Sequence, residues 1–105
     1  MDNILEAFKS TSDPYQAIGV SASHLTADDA LLLEDMAEDQ ENNKVAGRET
    51  GWFIKLEETG SHGHSMFQSM SDQFKLILEV AINSGYRLVE LDLDGEEFDQ
   101  LEVYI

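Results

Sequence analysis

The chain has 105 residues, no cysteine, and 22 acidic against 6 basic residues, so its net charge is −16 at pH 7. A chain this acidic repels nucleic acid and anionic membranes, and we expect neither to bind it directly. A basic protein or a cation is the partner that such a field favours. The absence of cysteine excludes disulfides, thiolate zinc sites and a cysteine nucleophile.

Length and composition indicate a single domain over residues 1–105, with an N-terminal extension over 1–15 and an α/β core over 16–105. The first residues, MDNILEAFKS, have neither the basic start nor the apolar stretch of a signal peptide. No apolar run reaches the roughly 20 residues of a membrane span. We therefore expect a cytoplasmic protein.

The N-terminal part of the chain predicts a helix followed by a strand. Pro14 disfavours helix in the residue before it, and the small, partly β-branched stretch 17–24 then predicts the first strand. Apolar residues at helical spacing predict a short amphipathic helix over 2–9, namely Ile4, Leu5 and Phe8.

A capping pattern marks the first long helix. Thr26 has the position of an N-cap and Asp29 follows three residues later, which predicts a helix from Ala27 to about Asp39. The polar stretch 40–50 predicts a loop.

The C-terminal half predicts a strand, a helix and two more strands. Alternating apolar residues predict the strands 51–57, 86–94 and 101–105. The second long helix begins after Ser69 or Ser71 and ends at Gly85. The order of elements predicts an α/β (α+β) two-layer sandwich. Its mixed four-stranded sheet has two main helices on one face, plus the short N-terminal helix.

The acidic residues concentrate in two blocks without a basic residue. The first block lies on the first long helix and the second on the C-terminal strands. They consist of Asp28, Asp29, Glu34, Asp35, Glu38, Asp39 and Glu41, and of Glu90, Asp92, Asp94, Glu96, Glu97, Asp99 and Glu102.

A one-signed surface of this kind could imitate a nucleic-acid backbone and occupy a basic groove on a nucleic-acid-binding protein. We expect Glu90, Asp92, Asp94, Glu96 and Glu97 to make the main contacts, with Asp35, Glu38 and Asp39 second. The alternative is a merely solvated face whose charges protect an edge strand from aggregation.

Metal binding and catalysis are two further hypotheses. If Gly95 is placed at position six of a calcium loop, Glu90 falls at position one and Leu101 at position twelve, where a bidentate acid is needed. His24, His62 and His64 could hold zinc or serve a small hydrolytic enzyme, with His24 near two serines. No nucleotide-binding or nucleophile motif accompanies them, so the sequence favours a binding protein without a cofactor over an enzyme.

A homodimer is a further expectation, because the second face of the sheet also has apolar residues. Packing of the N-terminal helix on this face is the alternative. The residues concerned are Phe53, Tyr86, Leu88 and Tyr104.

Three short motifs carry a resemblance to a known family. They are S-x-x-H-L-T at 21–26, G-W-F-I at 51–54 and L-D-x-D-G at 91–95, in this order along the chain. Over residues 18–104 the chain resembles a family of small bacterial proteins of unknown function that plasmids, phages and other mobile elements carry. The resemblance implies no catalytic residues. It implies a mobile-element setting, and a structural role for part of the acidic segment, with Asp94 and Gly95 forming a turn.

Overall fold

The computed structural model describes residues 2–12, 14–39, 44–56 and 67–104. Within these ranges, three α-helices and a four-stranded mixed sheet form the predicted α+β fold. No helix in these ranges is long and apolar enough to cross a membrane. In chain order, the elements are α1 (Asp2–Lys9), β1 (Gln16–Ser21), α2 (Ala27–Glu38), β2 (Val45–Arg48), β3 (Gly51–Lys55), α3 (Asp72–Asn83) and β4 (Tyr86–Asp92).

The last strand in the chain lies inside the sheet. The strand order is β1-β4-β3-β2, with β1 parallel to β4 and the other neighbours antiparallel. Val89 and Leu91 of β4 are fully buried, and so are Ile54 of β3, Leu33 of α2 and Phe74 of α3. The core is therefore one apolar layer between the sheet and the two long helices, as in other two-layer domains.

The stretch 40–50 was predicted to be a loop, and this prediction was wrong for the residues that form β2. Val45–Arg48 forms β2, in which Val45 lies opposite Ile54 of β3. The strand has four residues, one of them glycine, and pairs only on one side. So short a stretch has no readable alternation, and its strand conformation depends on β3 beside it.

The predicted C-terminal strand is also not a strand over its described residues, 101–104. Its apolar residues do alternate along the chain. Its backbone N–H groups, however, bond to the Gln73 side chain and to the segment that follows β1, and not to a neighbouring strand. Glu102 N–H donates to Gln73 Oε1 at 2.8 Å, and Tyr104 N–H donates to the Ser23 carbonyl at 2.8 Å. The fourth strand of the sheet is thus β2. Ile105 lies outside the described residues.

Three predicted strands are shorter than expected. β1 ends at Ser21, after which Ala22–His24 forms a short 3-10 helix, β3 ends at Lys55 and β4 ends at Asp92. The helix α3 begins after its N-cap Ser71 and is followed by Gly85, whose φ of 91° is the left-handed conformation expected of a residue that ends a helix.

The N-terminal helix has the predicted bounds but does not pack on the second face of the sheet. Every described side chain of α1 is exposed, including Ile4, Leu5 and Phe8.

One buried carboxylate binds the N-cap residues of both long helices. Asp29 Oδ2 accepts the Thr26 N–H at 3.2 Å while Thr26 Oγ1 accepts the Asp29 N–H at 3.0 Å, which is the predicted capping box of α2. Asp29 also accepts the Ser71 N–H at 2.8 Å and the Ser71 hydroxyl at 2.6 Å, and Ser71 Oγ in turn caps α3 at the Phe74 N–H. The N-termini of α2 and α3 are therefore joined through one side chain.

Asp29→Ala should lower the free energy of unfolding by about 3 kcal/mol, because it removes the carboxylate's hydrogen bonds to the N-cap residues Thr26 and Ser71 and leaves their donors unpaired. Urea denaturation measures the change. Asp28→Ala is the matched control, because Asp28 is in the same turn and exposed; its effect should stay below about 1 kcal/mol. Equal effects of the two substitutions would contradict the capping role of Asp29.

Candidate functional site at the carboxyl ends of the parallel strands

Exposed carboxylates gather where β1 and β4 end. Because these strands are parallel, their carboxyl ends share one edge of the sheet, and the joint at Asp29 brings the first turns of α2 and α3 to the same place. The segments 16–30 and 88–104 contain no Lys or Arg, although α3 contributes Lys75 nearby. We name this surface the acidic end; its exposed members are Asp28, Asp72, Asp94, Glu96, Glu97, Asp99 and Glu102.

Two buried serines hold the first part of the C-terminal segment. The Ser21 N–H donates to the Glu96 carbonyl at 2.9 Å. The Ser21 and Ser23 hydroxyls lie 2.7 Å apart, and Ser23 Oγ donates to Glu97 Oε2 at 2.8 Å. A Cβ on Gly95 would lie 2.7 Å from the Val20 carbonyl carbon, so glycine is required for this close crossing. One carboxylate of the acidic end is thereby fixed in position.

His24 is completely buried and binds the C-terminal segment with both ring nitrogens. Nε2 accepts the Phe98 N–H at 2.9 Å, and Nδ1 lies 2.8 Å from the Glu102 carbonyl, to which it donates. The ring is therefore the neutral tautomer with its proton on Nδ1. In this structure both ring nitrogens are bound to the backbone, so neither is available to a metal ion or to a serine.

Gln73 in the first turn of α3 binds the same segment from its other side. Its Nε2 donates to the carbonyls of His24 and Glu102, at 2.9 Å each, and its Oε1 accepts the Glu102 N–H. The segment 96–104 is thus held by β1, the short 3-10 helix and α3 together. We name this set of bonds the C-terminal clamp; its side chains are Ser21, Ser23, His24 and Gln73.

Asp92 organises the turn after β4. Its Oδ1 accepts the Asp94 N–H at 2.8 Å and its Oδ2 accepts the Thr50 hydroxyl at 3.0 Å. The Asp94 N–H is the main cause that lowers the pKa of the Asp92 carboxyl, and it outweighs the partial burial that raises this pKa. Thr50 and Arg48 lower the pKa further. Asp92, rather than Asp94, supplies the side chain that shapes this turn.

A single arginine neutralises part of the second acidic block. Arg48 of β2 lies opposite Gly51 of β3, which lies opposite Asp92 of β4. Because Gly51 has no side chain, Arg48 reaches β4: its Nη1 contacts Glu90 Oε2 and lies 2.9 Å from Asp92 Oδ2. Glu90 and Asp92 alternate along β4 on one face of the sheet, and they share this face with a cation.

The structure separates the expected contact residues of the first acidic block from those of the second. Asp35, Glu38 and Asp39 are exposed at the C-terminal end of α2. With a rise of 1.5 Å per residue, this end lies about 15 Å along the helix from the acidic end. Asp94, Glu96 and Glu97 lie at the acidic end. The sequence interpretation placed Asp99 and Glu102 in the same block but not among the expected contacts, and it did not group Asp28 and Asp72 with this block.

Position in the fold explains why Asp28 and Asp72 were not grouped with the second block. Asp28 and Asp72 come from different helices, and only the bond between Asp29 and Ser71 relates them. The signal in the sequence was a pair of N-caps, each with an acid in the first turn, but sequence alone does not show that one carboxylate serves both caps.

The histidine and calcium hypotheses gain no support from the described residues. No cluster of three or more metal-ligating side chains occurs in the parts of the chain that the structure describes. His62 and His64 lie outside those parts. In the candidate calcium loop, Asp92 already binds Thr50, Arg48 and the backbone.

The stability contribution of Asp92 should depend on pH below about pH 4. A folded-state pKa below the usual 3.8 means that the contribution is fully present above pH 3.8 and is lost as the pH falls through the lowered value. The difference in unfolding free energy between wild type and Asp92→Asn should be constant near neutral pH and should shrink in acid.

Chemical denaturation from pH 7 to pH 2.5 measures this difference. Asp94→Asn removes one exposed charge from the same turn and is the control for net charge. If the unfolding free energies of wild type and Asp92→Asn differ by a constant amount down to the lowest pH, the lowered pKa of Asp92 is contradicted.

His24→Ala should release the segment 96–104 and lower the free energy of unfolding by about 3 kcal/mol, because a buried ring and two hydrogen bonds are lost. Hydrogen exchange should accelerate at the amides of Phe98 and Tyr104 more than in β3. His24→Phe keeps the ring but not the bonds, so it should still accelerate exchange there. Unchanged protection of this segment in both variants would contradict the clamp.

Comparison with known proteins agrees with the resemblance seen in the sequence. No curated protein and no solved structure matches the chain significantly. The profile described as "Family of unknown function (DUF5983) C-terminal domain" matches residues 17–105, which leaves out α1 and includes the sheet, both long helices and the C-terminal clamp. This match covers well over half of the chain, and the chain therefore belongs to this family of unknown function.

Proposed function

We propose that this chain is a binding protein whose acidic end contacts a basic surface on a nucleic-acid-binding protein, in the place of nucleic acid. The observation that carries the proposal is that separate parts of the chain bring seven exposed carboxylates to this end. The segments 16–30 and 88–104, which contribute most of them, contain no Lys or Arg. A surface of one sign attracts a basic groove and repels competing anions.

The buried polar groups below the surface support the proposal. The clamp and the Asp29–Ser71 bonds fix the backbone from which the exposed carboxylates project. A surface that is already ordered loses less conformational entropy on binding than a mobile acidic tail does. The fold therefore favours the acidic end over the acids of α2 as the contact surface.

The contact residues of the proposal differ from the sequence-based set. Asp94, Glu96 and Glu97 remain, and the other members of the acidic end join them. Glu90 and Asp92 contribute less net charge, because Arg48 pairs with both. Asp35, Glu38 and Asp39 form a separate acidic surface.

A setting in bacterial mobile elements and a cytoplasmic location are parts of the same proposal. They rest on the motif resemblance and on the sequence, and not on the geometry of the site. A mobile element that enters a host meets nucleases and DNA-binding defence proteins, which are proteins with basic grooves. An acidic accessory protein that occupies such a groove would be useful there.

Removal of three carboxylates from the acidic end should weaken partner binding at least about tenfold at low salt, because charge complementarity is lost. The variant is Asp94→Asn, Glu96→Gln and Asp99→Asn together, all at exposed positions. Retention of proteins from a bacterial lysate is measured at about 0.1 M and about 0.5 M salt, where screening differs strongly. A duplex DNA should release the same partner.

The control variant is Asp35→Asn, Glu38→Gln and Glu79→Gln, which changes the net charge equally at exposed positions away from the acidic end. It should retain the partner. Loss of the partner from both variants would assign binding to net charge alone. A partner that resists both high salt and duplex DNA would contradict mimicry.

A further inference from the structure

The N-terminal helix presents an apolar face that its own chain does not cover. Ile4, Leu5 and Phe8 lie on one side of α1 and are between 57% and 73% exposed. Three large apolar side chains side by side on an isolated two-turn helix are unfavourable in water, and so short a helix is not stable without a packing partner. The helix thus needs a surface to pack against.

The core has an apolar groove of about 330 Å³ between β1, α3 and the C-terminal segment. No charged residue lines it, in a chain whose residues are 27% charged. Leu76 and Val80, one turn apart on α3, border it and are about half exposed. The other apolar lining residues include Ile18 and Val20 of β1 and Phe98 and Leu101 of the C-terminal segment.

One chain therefore carries an uncovered apolar helix face and an apolar groove without charges. We propose that α1 of each copy docks in the groove of a second copy, so that two chains form a two-fold symmetric dimer by exchanging their N-terminal helices. Ile4, Leu5 and Phe8 insert between Leu76 and Val80 on one side and Ile18 on the other. An exchange of this kind closes on itself and leaves neither surface exposed.

Buried area favours exchange over a single contact. A stable interface buries roughly 1,200–2,000 Å² in total, and one helix face of three side chains in one groove stays below that range. A reciprocal exchange of helices forms this contact twice, so the total buried area approaches that of a stable interface. The absence of charge in the groove also matters, because two chains of net charge −16 would otherwise meet with like charges in contact.

The position of α1 favours a second copy over the groove of the same chain. Only residues 10–15 connect α1 to β1, and this link contains Pro14, whose φ is fixed. The Arg87 guanidinium lies 4.9 Å from the centre of the Tyr15 ring and holds the end of the link against β4. The described side chains of α1 are all exposed, which leaves its apolar face free for another molecule.

Cysteine cross-linking tests the exchange directly, because the chain has no cysteine of its own. The full chain is prepared as Phe8→Cys, with a size tag, and separately as Val80→Cys without one. Mild oxidation of the mixture should give a disulfide-linked heterodimer of the two chains. Leu31→Cys replaces Val80→Cys as the control, because Leu31 is a similarly exposed leucine on α2, away from the groove.

The double variant with Phe8→Cys and Val80→Cys separates exchange from docking within one chain. Exchange gives covalent dimers on a non-reducing gel, whereas docking in the same chain gives an internally linked monomer and overturns the proposal. Cross-linking with Leu31→Cys equal to that with Val80→Cys would also overturn it, as would no cross-linking in any mixture.

Sedimentation equilibrium gives an independent measurement on the cysteine-free protein. The wild type should be dimeric at micromolar concentration, and Phe8→Asp and Val80→Asp should each raise the dimer dissociation constant at least about a hundredfold. Leu31→Asp is the charge-matched control and should leave the constant unchanged. Both tested positions are exposed, so the variants should fold. A monomeric wild type at all concentrations would overturn the exchange.

Discussion

The need of buried polar groups for hydrogen-bond partners determines how this small domain is assembled. At the carboxyl end of β1 the chain buries two serines, a histidine and an aspartate within nine residues. Each binds a distant segment: Asp29 the cap of α3, and His24 the backbone at Phe98 and Glu102. Within the described residues, no buried side-chain nitrogen or oxygen lacks a partner. An unpaired group at any of these positions would be strongly destabilising.

This requirement separates the acidic residues into two kinds. Asp29 and Asp92 face inward, bind specific donors and help to hold the fold. The exposed carboxylates of the acidic end, all within the described residues, make no comparable bonds, except for Glu97, which binds Ser23. Acidic runs in the sequence contain both kinds of residue, so the number of acidic residues along the chain is a poor guide to the charge that a partner would meet. The inward-facing acidic residues lie where two segments of the chain join, and the exposed ones lie beside them.

The sequence predicted the features that depend on neighbours along the chain. The Thr26 capping box, the Ser71 cap and the left-handed Gly85 all follow from short-range geometry, and the structure confirms each. The strand β3 was also predicted, because its alternation is strong enough to indicate one buried face without knowledge of its neighbours.

Features that depend on distant residues were not predicted. β2 is a strand because β3 lies beside it. The segment 101–104 is not a strand, because its backbone N–H groups donate to the Gln73 side chain and to the Ser23 carbonyl. The neutralisation of Glu90 by Arg48 required β2 to exist and Gly51 to lie between them. Most of these errors come from contacts between residues far apart in the chain, which no local pattern records.

The position of β4 has a kinetic consequence. It lies between β1 and β3, so the sheet is incomplete until the last strand of the chain enters between its first and third. Earlier segments can form a β2–β3 hairpin and nascent helices, but they cannot bury a core, because Val89 and Leu91 lie at its centre. The parallel pairing of β1 with β4 closes a loop of about 65 residues, whose entropy opposes it until the rest is in place. Folding should therefore be a single late event, in which insertion of β4 and closure of the clamp around residues 96–104 occur together.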